Sequence, residues 1–249
     1  MPRGPLASSR IWTRTPGSCV SCTDVRPLTP TLTHRNESGR SLPMLVWRFD
    51  RPVRAIASGP LGGGIGLRTW VINATVDKAY ARRDPDVHLG ELAHREHLDG
   101  LGAGMLTAVD VGEAVTAIDG GVSVVATVGL QHPTWAAAAD DDLRDPAGRD
   151  GSPGTINLFA WIPTSMTDAA LVNVVATATE AKAQALWEHG FEATGTASDA
   201  LFVASVTPDP DVVAEQFGGP RSAWGARLAR AVRTAVFEGA QRWSHPRAR

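Results

Sequence analysis

The sequence predicts an α+β fold, because strand-like and helix-like segments are mixed along the chain. Three segments have helical patterns, over 86–97, over 166–188 and from residue 220 to residue 239. Runs that are rich in β-branched and apolar residues and bounded by Gly or Pro predict strands at 53–58, 69–76, 105–110, 122–128, 155–162 and 200–206. We therefore expect a single layered domain of sheet and helices.

The two long helices have recognisable ends. Ser165 and Asp168 stand at capping-box spacing at the start of the helix over 166–188, and Gly190 comes just past its end. This helix is apolar on most faces, which is typical of a buried helix. The last helix has Pro220 at a first-turn position and carries an apolar stripe, which predicts that one face packs on the sheet.

The first 43 residues are expected to form a disordered tail. They combine Ser, Thr, Pro and Arg without hydrophobic periodicity, a composition that cannot bury enough surface to offset chain entropy. We therefore place the domain at 44–249 and expect residues 1–43 to be dispensable, with Met44 as a candidate start. Cys19 and Cys22 form a lone CxxC in this tail, without the second pair that a zinc site needs.

Charge and hydropathy argue against two classes of partner. Beyond residue 43 the chain holds 18 basic and 24 acidic residues, so its net negative charge offers nucleic acid little attraction. No apolar run approaches the length of about 18 residues that a membrane span needs, and no signal-peptide core follows the early arginines. We expect a cytoplasmic protein without nucleic acid or membrane partners, and the oligomeric state stays open.

Glycine is densest in the run LGGGIGLRTWVINATV, which spans residues 61–76 and leads into a predicted strand. The run satisfies neither the GxGxxG pattern nor the GK[ST] ending of a phosphate loop. Two interpretations of this glycine run stay open: it forms a tight turn, or it forms a loop whose backbone N–H groups face a ligand.

The helix over 166–188 carries a polar row on its otherwise apolar surface. Asn173, Thr177, Glu180 and Gln184 follow one another at spacings of four, three and four residues, so they share one side. Such a row either faces solvent or lines a polar cavity. Lys182 is one of two lysines in a chain with 22 arginines, and lysine can lose its proton where arginine cannot. It stands two positions from Glu180, so the two side chains cannot point the same way.

The segment ATGTASDA, over 193–200, places hydroxyls and a carboxylate at the start of a predicted strand. Thr196 and Asp199 there can be turn residues, or they can supply a nucleophile and a group that positions water.

Six blocks of the sequence, taken in order, are LGGGIGLRTWVINATV, GLGAGMLTAVD, PGTINLFAWIP, DAALVNVVATATEAKAQAL, ATGTASDA and FGGPRSAWGARLARAV. Together they resemble one protein family over roughly residues 44 to 245, the adenosylcobinamide amidohydrolases or CbiZ proteins. The resemblance implies hydrolysis of the amide that joins the aminopropanol arm to the corrin ring, which releases adenosylcobyric acid for corrinoid salvage. It also implies that the corrinoid is the substrate and that the enzyme needs no cofactor of its own.

Amide cleavage needs an attacking oxygen, a base, donors for the oxyanion and an acid for the departing amine. Side chains of these types that fall in the blocks give the catalytic candidates Glu180, Lys182, Thr196, Asp199 and Asn173. The substrate-binding candidates are Gly62, Gly63, Gly64, Asn73, Thr75, Thr107, Thr177 and Arg221. Tryptophans near the blocks, Trp135 among them, suit a flat macrocycle rimmed with amides.

No metal site is expected, because the histidine pairs at helical spacing show no third ligand. Two other functions stay open: a non-catalytic corrinoid- or nucleotide-binding module, and a self-processing acyltransferase in which Thr107 is the nucleophile. The sequence also leaves open whether threonine or activated water attacks, and whether cobinamide or a complete cobamide is preferred.

Overall fold

The computed structural model describes residues 28–139 and 154–245, and within them it has the predicted α+β fold. The helices are α1 Pro85–Arg95, α2 Asp168–His189 and α3 Ala223–Ser244. The strands are β1 Thr31–Glu37, β2 Arg40–Ala57, β3 Gly64–Thr75, β4 Gly102–Thr107, β5 Val115–Asp119, β6 Val122–Val128, β7 Ile156–Ser165 and β8 Ala200–Val206. The predictions made for residues 1–27, including Cys19 and Cys22, lie outside the described residues.

The strands form one mixed sheet in the order β4-β3-β2-β8-β7-β6-β5, and β1 pairs with β2 beside this path. The pairs β3–β4 and β7–β8 are parallel, and the remaining pairs are antiparallel. The register of β2 against β3 shifts between Arg48 and Val53. After this irregularity β2 pairs with β8 as well as β3, so the long strand β2 belongs to both halves of the sheet.

The sheet has two halves, β1 to β4 and β5 to β8, which we call half-sheets. They face each other across an apolar core. Trp47 from β2 stacks on Phe159 from β7 with ring centroids 4.2 Å apart, and Phe159 stacks in turn on Phe202 from β8. On the outer faces, α1 packs on β2 and β3 through Leu89 and Leu92, whereas α2 and α3 cover β5 to β8. The layers therefore run helix, half-sheet, half-sheet, helix, with the inner faces joined by stacked aromatic rings.

The predicted boundary at residue 44 is wrong, because residues 31–43 are built into the sheet. All of β1 and the first four residues of β2 precede Met44. The guanidinium of Arg35 donates to the carbonyl of Thr75 at 2.6 Å, and a Glu37 oxygen lies 3.2 Å from Nε2 of His88. The alternating exposed and half-buried positions of β1 need few apolar residues, so composition alone could not identify this edge strand.

The helix ends differ in detail from the prediction. Thr167 rather than Ser165 caps α2, because Ser165 is still the last residue of β7, and Gly190 is left-handed at φ 95° as expected. The last helix runs on past Gly239, where an added Cβ would come 2.5 Å from Val128. That glycine therefore allows close helix–sheet packing and does not end the helix.

Candidate active site

Three of the predicted catalytic side chains meet where the loop before β8 passes under α2. Lys182, in the second half of α2, forms an ion pair with Asp199, and the hydroxyl of Thr196 donates to the same carboxylate at 2.5 Å. The side chains of Lys182 and Asp199 are only 11% and 14% exposed. We call these three residues the Lys–Asp–Thr cluster.

The carboxylate of Asp199 is held by four donors. Oδ1 accepts from the Thr196 hydroxyl and from the backbone N–H of Ile156 at 2.9 Å. Oδ2 accepts from Lys182 and from the backbone N–H of Thr196 at 3.1 Å. These contacts tie the start of β8 to the start of β7 and to α2, so the cluster is fixed by three separate elements of the chain.

Close packing at Gly195 keeps the Lys–Asp–Thr cluster together. An added Cβ would come 2.2 Å from Oδ2 of Asp199 and 2.5 Å from Nζ of Lys182. The carbonyl of Gly195 accepts from the backbone N–H of Thr134 at 2.8 Å, and the N–H of Thr194 donates to the Thr134 carbonyl at 3.0 Å. The segment around Thr134 thus lies directly against the loop that carries the cluster.

A second polar cluster lies inside the protein, between the two half-sheets. Asn157 of β7 donates to the side chain of Asn73 at 2.9 Å and to the carbonyl of Leu106 at 2.9 Å. Asn73 in turn donates to Thr127 at 3.2 Å, and the three polar side chains belong to residues at most 3% exposed. The sequence pattern indicated Asn73 as a site residue but not Asn157 or Thr127. The asparagine in the apolar run INLFAW was the available signal.

Thr75 and Thr107 shape the chain that follows β4. The Thr75 hydroxyl donates to the carbonyl of Val109 at 2.8 Å and accepts from the N–H of Val111 at 3.0 Å. The Thr107 hydroxyl accepts from the N–H of Val109 at 3.1 Å. Thr75 also borders a cavity of about 900 Å³ that extends to Trp243 near the end of α3.

Two residues of the polar row on α2 contact the loop before α3, and the other two are exposed. Thr177 donates to the carbonyl of Gly218 at 2.9 Å, and Asn173 accepts from the N–H of the same glycine at 3.3 Å. Both residues therefore hold the loop before α3. Glu180 and Gln184 are exposed, and Glu180 lies about 200° around the helix axis from Lys182. The structure thus separates Glu180 from the Lys–Asp–Thr cluster, and its role as a base stays a prediction.

The other substrate-binding candidates lie outside the cluster. An added Cβ at Gly62 would come 2.1 Å from the carbonyl oxygen of Gly102, so this glycine allows two backbones to pack closely. Gly63 and Gly64 are exposed, and Gly64 has φ 88° at the start of β3. Arg221 is exposed just before α3. Their contact with substrate stays a prediction.

The buried histidine of α1 is held by other side chains. His88 is 2% exposed, its Nδ1 lies 3.0 Å from the Tyr80 hydroxyl, and its Nε2 faces Glu37. Burial lowers the pKa of His88. Within 28–139 and 154–245, no group of three or more His, Cys, Asp or Glu side chains could hold a metal ion.

None of the helices in the described part of the chain is long and apolar enough to cross a membrane.

The fold and the cluster define an α+β protein that brings an ammonium, a carboxylate and a hydroxyl together at a strand start, as acid–base or nucleophilic chemistry requires. A family model described as adenosylcobinamide amidohydrolase matches residues 29–248. The chain therefore belongs to the adenosylcobinamide amidohydrolase family, as the six blocks predict. The match begins at residue 29 and so includes β1.

Two relatives carry the name adenosylcobinamide amidohydrolase. The one from Halobacterium salinarum is 36% identical over 171 residues, which is 64% of this chain and 72% of that protein. The one from Methanosarcina mazei is 28% identical over 153 residues, which is 61% of this chain and 70% of that protein. Among solved structures, the PH0078 protein from Pyrococcus horikoshii OT3 is 12% identical, with a TM-score of 0.40 over 86% of this chain and 82% of that one. At that distance the structural likeness does not bear on function.

Proposed function

We propose that this protein hydrolyses the aminopropanol amide of adenosylcobinamide and releases adenosylcobyric acid. Membership of the family supports the reaction. The observation that carries the assignment of the site is the convergence of Lys182, Thr196 and Asp199, which come from two blocks separated in sequence. An amide hydrolase needs an attacking oxygen, a proton acceptor and a cation or donor for the oxyanion, and this cluster supplies all three types.

Thr196 is placed to provide or orient the attacking oxygen. Its single hydroxyl proton points to Asp199, so the lone pairs of Oγ1 face away from the carboxylate. Oγ1, or a water that it orients, attacks the amide carbon while the proton passes to Asp199. The C–N bond then breaks, and the proton leaves with the aminopropanol nitrogen. If Oγ1 is the nucleophile, water hydrolyses the resulting ester and regenerates the hydroxyl.

Lys182 supplies the positive charge. Its hydrogen bond to Asp199 uses one of three N–H donors. The remaining donors are chemically suited to the oxyanion that develops on the amide oxygen. Because the ammonium is nearly buried, it acts on that charge with less screening by water than a surface lysine would.

The proposal includes no added metal or nucleotide, and it keeps the expectation of a cytoplasmic location. The corrinoid is the substrate, and its cobalt is carried through the reaction unchanged. Activity should therefore persist when the purified protein is treated with a chelator.

The activity is tested by incubating the purified full chain with adenosylcobinamide and separating the corrinoids by chromatography. We expect adenosylcobyric acid and free aminopropanol in equal amounts. Corrinoid that is bound tightly but recovered uncleaved at every pH tested would refute the proposal and favour the binding module. An intact chain mass separates this enzyme from a self-processing acyltransferase.

The site is tested by Asp199→Asn and Thr196→Val, each of which should lower turnover by roughly 10²–10⁴. Asp119→Asn is the matched control, because Asp119 is also paired with a cation, Arg230, but lies on β5 away from the cluster. A covalent acyl intermediate detected by mass spectrometry in slow variants such as Thr196→Ser would favour the threonine nucleophile over activated water.

A further inference from the structure

Two tryptophans touch each other on the surface of the protein. The rings of Trp135 and Trp187 have centroids 5.7 Å apart and are tilted by 58°. Trp135 is 41% exposed and Trp187 is 58% exposed, whereas Trp47, Trp70 and Trp161 are all at most 6% exposed. A contacting pair of large aromatic rings left open to water is typical of a ligand-binding surface.

The pair lies next to the Lys–Asp–Thr cluster. Trp135 follows Thr134, whose backbone pairs with Gly195, and the next residue, Ala136, donates its N–H to the hydroxyl of Thr194 at 2.8 Å. The loop that carries Thr196 and Asp199 is therefore hydrogen-bonded to both chain neighbours of Trp135, Thr134 and Ala136.

The second ring reaches the same place from α2. Trp187 stands five residues after Lys182, and a helical side chain leans toward the N-terminus of its helix. Five residues correspond to about 140° around the helix axis, so Trp187 and Lys182 do not share a side of α2, and it is the ring contact with Trp135 that brings Trp187 to the loop 193–200. The contact between the two rings shows that the helix and the loop jointly form one apolar surface beside the cluster.

We propose that Trp135 and Trp187 bind the corrin ring of the substrate and so hold its amide arm at the Lys–Asp–Thr cluster. The proposal rests on the proposed function and names the part of the site that recognises the macrocycle. Two tilted rings form a shallow notch that fits one broad, methyl-bearing ring better than it fits a polar chain. The amide arms leave the rim of that ring, where the polar loop 193–200 borders the tryptophans.

The cavity of about 900 Å³ that includes Thr75 and Trp243 is the rival place for the ring. Its lining among the described residues includes neither a member of the Lys–Asp–Thr cluster nor any residue of 193–200. A ring seated there would place its amide arm away from the Lys–Asp–Thr cluster, next to the cavity's own Lys78, Asp110 and Thr75. The test therefore compares the tryptophan pair with Trp243, which is 37% exposed.

The experiment measures steady-state kinetics with adenosylcobinamide for Trp135→Ala, Trp187→Ala and Trp187→Phe. Each alanine variant should raise KM at least about 10-fold with kcat changed less than about threefold, because the lost contact acts equally on ground state and transition state. The phenylalanine variant should recover most of the loss. Trp243→Ala is the matched control and should keep the wild-type KM. Thermal midpoints confirm that the variants are folded.

Wild-type KM in both alanine variants would overturn the proposal, as would a raised KM in Trp243→Ala alone. Failure of the proposed function is distinguishable. If the wild type binds adenosylcobinamide without cleaving it, equilibrium dialysis replaces kinetics, and a Kd raised at least about 10-fold in the alanine variants supports the tryptophan site. If the wild type neither binds nor cleaves adenosylcobinamide, both proposals are refuted.

Discussion

Gly195 offers a direct test of the Lys–Asp–Thr cluster, because a methyl group added there would clash with both members of the Lys182–Asp199 ion pair. In Gly195→Ala the new Cβ would start 2.2 Å from the Asp199 carboxylate and 2.5 Å from the Lys182 nitrogen, where ordinary contacts begin at 3.4 Å. The lysine end is flexible and can move. The carboxylate is held by Lys182 and Thr196 and by the backbone N–H of Ile156, so it can move only by stretching or breaking these bonds.

The structure sets the size of the effect. The carboxylate oxygen must retreat by about 1 Å to reach ordinary van der Waals distance, which is the scale at which catalytic geometry loses roughly 10²-fold in rate. Overpacking of a buried site costs about 1–3 kcal/mol. We therefore expect Gly195→Ala to lower turnover by roughly 10²-fold and to lower the free energy of unfolding by about 1–3 kcal/mol.

The assay pairs urea unfolding with turnover of adenosylcobinamide. Gly90→Ala is the matched control, since Gly90 is exposed on α1 with nothing within 4 Å of an added Cβ. That variant should gain about 0.5–1 kcal/mol of stability and keep its turnover. If Gly195→Ala loses stability but converts adenosylcobinamide at the normal rate, the cluster has only a structural role and the catalytic assignment is refuted. If neither quantity changes, the packing argument itself is wrong.

Three further expectations concern other parts of the chain. A chain that starts at Leu28 should keep its thermal midpoint. One that starts at Met44 should lose roughly 6–12 °C in a calorimeter, because β1 is removed together with the Arg35–Thr75 hydrogen bond and the contact of Glu37 with His88; equal midpoints would contradict the role of β1. Glu180→Gln should change turnover less than about threefold, since the side chain is exposed and turned away from the cluster; a fall of 10²–10⁴ would restore it as the base. Burial lowers the pKa of His88, so below about pH 6.5 the unfolded chain binds more protons and the free energy of unfolding falls as the pH drops. His88→Gln should flatten that fall between roughly pH 7.5 and pH 5.5 in urea titrations, and an unchanged slope would contradict the assignment to His88.

The elements with strong local signals were predictable from the sequence. The apolar faces of α2 and the glycine at Gly190 predict a buried helix and its end. The β-branched and aromatic residues in the apolar runs of β6, β7 and β8 predict strands. The weak elements were not. Strand β1 is polar and half-buried at one edge, and β5 is five residues long with alternate positions exposed, so each depends on its partner strand rather than on its own composition.

For the site, residue types were predictable and geometry was not. The rarity of lysine singled out Lys182, and the hydroxyl-rich strand start singled out Thr196 and Asp199; the structure brings these three together. The polar row through Asn173 and Glu180 was also visible. Helical periodicity gives the side of a helix but not what covers it, and the loop before α3 covers the part at Thr177.

Charge favours the Lys–Asp–Thr cluster over the interior polar cluster as the place of the proposed reaction. The interior cluster of Asn73, Thr127 and Asn157 is neutral and at most 3% exposed, and its amides already bond to each other and to β4. Neutral amides cannot take up the proton that an attacking oxygen releases.

The Lys–Asp–Thr cluster has the opposite properties. It contains two ionisable groups, it lies on the outer side of the sheet, and the neighbouring Ser198 is exposed. The side chain of Asp199 is 14% exposed, so a proton can be exchanged with solvent there. The interior cluster instead ties β7 to β3 and β4, which fixes how the half-sheets face each other. It follows that substitutions in the interior should act on stability first. Substitutions in the Lys–Asp–Thr cluster should lower turnover even where the fold survives.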